Sequence, residues 1–137
     1  MKMRLAKSLL MLGMLGAAGC GRTSEEPVFQ SVTGTVRFNG KPIPKAEVTF
    51  HPQFDGPGWV PVAVVKDDGT FAAGTKLAGD GVLPGKYKVT FIWRPAAEQL
   101  NDAPNLLPEK FASPKTSPFE IDVIEGEPST HKFELKN

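Results

Sequence analysis

The chain has 137 residues, with 16 Lys and Arg against 15 Asp and Glu, 14 Gly, 13 Pro and one Cys. That length fits one domain rather than two. The charge balance lacks the basic excess of a nucleic-acid binder, and a lone cysteine excludes an intrachain disulfide.

Residues 1–7 carry Lys2, Arg4 and Lys7, and residues 8–18 are uncharged and rich in Leu and Met. Ala17, Ala18, Gly19 and Cys20 follow. Charged, then apolar, then small is the order of a secretory signal. The apolar run is about half the ~20 residues that a spanning helix needs, so it reads as a leader and not a permanent anchor. Cleavage between Gly19 and Cys20 would leave 118 residues with 13 basic against 15 acidic side chains. That size can bury a core without disulfides.

The stretch Ala17-Ala18-Gly19-Cys20 resembles the lipobox of bacterial lipoproteins, although Ala17 stands where the pattern prefers Leu. The resemblance implies a thioether-linked diacylglycerol on Cys20, with further acyl chains such as palmitate. The plainer alternative is a secretory signal with an incidental cysteine. In such lipoproteins Asp after the cysteine favours the inner membrane, and Gly21 here tilts toward the outer one. Residues 20–30 show little periodicity and read as a lipidated, flexible tether.

From Ser31 the dominant period is two, the signature of half-buried strands. Val32, Gly34, Val36 and Phe38 alternate with Thr33, Thr35, Arg37 and Asn39. Asn39-Gly40 supplies a turn that Lys41-Pro42 extends. Ala46, Val48 and Phe50 mark a second strand. Residues 60–66 are apolar on both parities, as in a central strand. Asp67-Asp68-Gly69 turns the chain into Thr70-Phe71-Ala72. Tyr87, Val89, Phe91 and Trp93 share one face of the strongest strand. Phe119, Ile121 and Val123 form another, and Phe133 and Leu135 mark the last. About seven strands without a sustained helical period predict an all-β, antiparallel β-sandwich over residues 31–137. Residues 95–118 hold five prolines and stand apart; a helical turn at 96–100 or 108–111 is expected there, pinned by Leu106, Leu107 and Phe111.

The run Val32-x-Gly34-x-Val36, Asn39-Gly40-Lys41-Pro42, Ala46-x-Val48-x-Phe50, Asp67-Asp68-Gly69-Thr70-Phe71 and Pro84-Gly85-Lys86-Tyr87-x-Val89 resembles the carboxypeptidase regulatory-like domain. That is a transthyretin-like (prealbumin-like), Ig-like β-sandwich. Leu107-Pro108-Glu109-Lys110-Phe111 and Thr116-Ser117-Pro118 resemble small bacterial lipoproteins built on it. The resemblance implies an accessory module and not a catalyst, although a fold alone does not fix function.

The residues themselves offer little catalytic chemistry. His51 lies on the polar parity of its strand and His131 opens the last one, neither with metal-motif spacing. Asp67, Asp68 and Asp80 lack the alternating spacing of a calcium loop. No serine sits in a Gly-x-Ser-x-Gly elbow. An isopeptide bond from Lys41 or Lys45 to Asn137 would need burial that a turn and a terminus do not offer. Trp59 lies in the loop Phe54-Asp55-Gly56-Pro57-Gly58-Trp59 and either presents an exposed ring to a partner or folds back to plug the sandwich edge; the second is the simpler reading.

The functional expectation is a lipid-anchored, non-catalytic envelope lipoprotein acting as a binding or scaffold module. Its lipid attachment is Cys20, and its candidate binding loop is at Trp59. The expected partners are the membrane through the anchor and an envelope protein or glycan; no nucleic acid, metal or cofactor beyond the covalent lipid is expected. The alternatives are an oligomeric carrier of a small ligand, as transthyretin-like folds sometimes are, and an envelope enzyme uniting His51 or His131 with carboxylates.

Overall fold

The computed structural model describes residues 27–137. The predicted leader, Gly19, Cys20 and most of the tether lie outside them. Among the described residues no helix is long and apolar enough to cross a membrane. Among the described residues eight strands form two sheets: β1 (Val32–Phe38), β2 (Lys41–Pro42), β3 (Glu47–Pro52), β4 (Val62–Val64), β5 (Thr70–Ala72), β6 (Gly85–Ile92), β7 (Glu120–Val123) and β8 (Ser129–Leu135). The all-β sandwich is therefore present.

The first sheet is built around β1. The two-residue strand β2 and β5 pair with β1 antiparallel, and β8 runs parallel to it along its whole length. The second sheet has the order β4-β3-β6-β7 and is antiparallel throughout. Period-two alternation turns Val32 and Val36, Val48 and Phe50, Tyr87, Val89 and Phe91, Ile121 and Val123, and Phe133 and Leu135 into one core. Each such side chain contributes about 1.5–3 kcal/mol when fully buried. Aromatic rings stitch the sheets together: Phe133 lies 5.2 Å from Phe91, 5.4 Å from Phe119 and 5.8 Å from Phe71.

Several elements differ from the sequence expectation, each for a local reason. The additional strand is β2, because Asn39 and Gly40 both take positive φ (51° and 81°), as a two-residue hairpin with the right twist requires. Pro42 is tolerated there at the end of a short edge strand. The last strand begins at Ser129, since β1 offers it a parallel partner from Val32 onward. That pair brings β8 so close that a Cβ at Gly34 would overlap the carbonyl oxygen of His131.

The segment expected to be central is an edge. Pro61, Ala63 and Val65 turn inward, while Val62 and Val64 are 53 % and 61 % exposed. Val62 and Gly74 exchange two 2.9 Å backbone hydrogen bonds, which join the edges of the two sheets.

The proline-rich stretch contains turns at 96–100 and a single 3-10 turn at Glu109–Phe111. Leu107 and Phe111 are buried, but Leu106 is exposed. The stretch is held largely by polar side chains acting on backbone. Asn105 Oδ1 accepts from the N–H groups of Trp93 at 2.9 Å and Leu107 at 3.1 Å, and the buried Ser117 hydroxyl donates to the Val89 carbonyl.

Candidate functional site

The Trp59 loop joins β3 to β4 at one end of the sandwich. Its root is fixed by Phe54, whose ring meets Tyr87 edge-on at 5.4 Å. Gly85, at φ 141°, leaves the room that the Phe54 ring occupies. Tyr87 is in turn locked by its hydroxyl, which donates to the Leu83 carbonyl at 2.7 Å. Burial pushes the Tyr87 hydroxyl up to about 12.

Trp59 itself is half-buried. Phe29 packs against it edge-on at 6.0 Å, and Lys76 Nζ sits 4.6 Å from its ring centroid. The tryptophan ring thus packs onto the start of the described chain and does not join the core cluster.

Phe29 is positioned by the residue after it. Gln30 is buried, bridges to Val82 through 2.7 and 2.9 Å backbone bonds, and accepts the Gly126 N–H at 2.8 Å through Oε1. The sandwich therefore takes in the last residues assigned to the tether. Lys76 is positioned by Asp80, whose carboxylate accepts the N–H groups of Thr75 at 2.6 Å, Leu77 at 3.0 Å and Lys76 at 3.2 Å. Desolvation raises the Asp80 carboxyl, and these amides outweigh it, so the group sits below the usual carboxylate range. Asp68 is likewise spent on its own turn, accepting the Thr70 N–H at 3.0 Å and hydroxyl at 2.6 Å; these bonds hold it low. Among the described residues no group of three His, Cys, Asp or Glu side chains gathers as metal ligands.

The two histidines stand on different sheets, His51 on β3 and His131 on β8. His51 Nε2 is 2.8 Å from the Thr90 hydroxyl, and His131 Nε2 is 3.1 Å from the Ser129 hydroxyl. Burial holds both rings below the usual histidine range. Trp93, read from parity as core, is half-buried against it, and its Nε1 donates to the Pro44 carbonyl at 2.9 Å.

Sequence reasoning found Trp59 and missed what surrounds it. Val28, Phe29, Lys76 and Leu77 were unremarkable in a tether and a loop. The available signal was the apolar pair Val28-Phe29 directly after Pro27, where a purely flexible linker needs no apolar residues. No family model, curated protein or solved structure matches this chain.

Proposed function

We propose that the chain is a lipid-anchored envelope lipoprotein, attached through Cys20, whose β-sandwich is a non-catalytic binding or scaffold module of carboxypeptidase regulatory-like type. The reading is carried by one observation: a basic, then apolar, then small-residue leader ends on the chain's single cysteine, just ahead of a β-sandwich. Two or three acyl chains hold a protein firmly, each buried methylene adding ~0.8 kcal/mol.

The side-chain chemistry supports a module over an enzyme. Each histidine is partnered by a hydroxyl on its own sheet, and the two acidic turns use their carboxylates to hold backbone amides. The Val32-x-Gly34-x-Val36 and Asn39-Gly40 patterns supply the fold-making positions of the family resemblance. Gly21 after the lipid-bearing cysteine favours the outer membrane. A protein or glycan of the envelope is the partner class that such a display suits.

The test is Cys20→Ala in the producing cell. Labelling by a fatty-acid analogue disappears and the protein leaves the membrane fraction. Retained labelling would refute lipid attachment at Cys20. Crosslinking in intact envelopes, followed by mass spectrometry, identifies the partner.

A further inference from the structure

We infer that the end of the sandwich bearing Trp59 is a second membrane contact, which lays the domain against an anionic phospholipid surface. The inference rests on the reading of Cys20 as lipid-bearing and deepens it. Three segments far apart in sequence meet there. Val28 and Phe29 come from the start of the described chain, Trp59 and Val60 from the β3–β4 loop, and Lys76 and Leu77 from the loop after β5. Val28 and Leu77 are 73 % and 74 % exposed, and Val60, next in sequence to Trp59, is exposed too.

Chain length identifies the occupant. Val28 is eight residues from Cys20. At ~3.3–3.6 Å per extended residue the link spans at most about 29 Å. A lipid on Cys20 therefore keeps this end, more than any other part of the sandwich, next to the bilayer. Composition agrees. Tryptophan suits the headgroup level, where its apolar body is buried and its N–H stays wet. Lys76 places an ammonium over the same ring, and Lys66 lines the adjoining groove of about 450 Å³ with Val62, Val64 and Leu77. Asp80 faces its own amides and is taken up by them. Asp55, which lines a groove with Trp59, is an opposing charge among the described residues, and Glu25 and Glu26 add two more in the link to Cys20.

The experiment uses the full lipidated protein in vesicles of phosphatidylethanolamine and phosphatidylglycerol, with acyl chains brominated as tryptophan quenchers. Emission is expected to be quenched, and Trp59→Phe removes the quenched component, leaving that of Trp93. Lys76→Glu reduces the quenching and Asp55→Lys increases it, by about fivefold in the docked-to-free ratio per unit charge. Replacing phosphatidylglycerol by phosphatidylcholine acts like Lys76→Glu. Co-sedimentation with the vesicles but no quenching of Trp59 overturns docking alone. Failure to co-sediment or to carry lipid overturns docking together with the lipoprotein reading. A shift in Trp59 emission that follows protein concentration without lipid assigns the surface to a second copy and overturns docking as well.

Discussion

Phe91 and Trp59 are both aromatic, both contact other rings, and serve the molecule differently. Phe91 is fully buried, between Phe119 at 5.4 Å and Phe133 at 5.2 Å, and so ties β6 to β8 across the two sheets. Trp59 stands at the periphery, with Phe29 on one side and a lysine over its ring. The contrast teaches that aromatic content divides here into rings that hold the sheets together and rings left at an end where chain segments of no regular structure meet. Phe91→Ala should cost about 3–5 kcal/mol, the usual loss for emptying an aromatic core site. Trp59→Ala should cost ~1 kcal/mol or less, in the range of an exposed cation–π contact. Urea unfolding of both variants checks this. Comparable losses would break the distinction and make Trp59 part of the core.

Tyr87 belongs to both regions and sharpens the boundary between them. Its ring meets Phe50 at 6.5 Å on the core side and Phe54 at 5.4 Å on the loop side. Its hydroxyl satisfies the Leu83 carbonyl, so Tyr87→Phe should cost about 1–3 kcal/mol by leaving that acceptor unpaired. The chain has one tyrosine, so ultraviolet titration reads this residue alone. Tyrosinate should form near pH 12 in the folded protein and nearer the ordinary 10.0 once unfolded. The raised value means that the stability linked to this group is complete below pH 10 and is lost as pH climbs toward 12. Titration of the folded protein near 10 would place the hydroxyl in solvent and separate the Trp59 loop from the core.

The fold was legible in the sequence wherever one face of a strand is buried. Tyr87, Val89 and Phe91 announce β6 because their partners Lys86 and Lys88 keep to the other face. Legibility failed where burial depends on the sheet edge. The valines at 62 and 64 have the composition of a central strand, yet only the intervening Ala63 turns inward. Strand order, which decides that, comes from pairings dozens of residues apart such as β1 with β8. The candidate site divides the same way. Gly-Pro richness exposes Trp59 as an oddity, whereas Phe29 and Lys76 acquire meaning only through contacts 30 and 17 positions from Trp59. The proposal for Cys20 rests on the order of its neighbours alone, since it lies outside the described residues.

The smallest expected effect concerns pH and leaves both aromatic regions intact. His51 and His131 are held below the ordinary 6.5 by burial, so the unfolded chain takes up protons on these rings before the folded one does. Stability linked to them is complete above 6.5 and declines as pH falls through 6.5 toward the lower folded values. Asp68 and Asp80 act in a separate window: their folded values lie below 3.8, so their contribution is complete above 3.8 and is lost further into acid. Thermal midpoints should therefore fall gently from neutral pH through the histidine window and steeply only in the carboxylate one. In the double variant His51→Gln, His131→Gln the gentle slope should vanish while the acid limb stays, since Gln still reaches the Thr90 and Ser129 hydroxyls with a neutral group. A gentle slope that survives in the double variant would show that both rings protonate as freely in the fold as outside it, and that the outer face of β3 and the start of β8 are wetter than their packing implies.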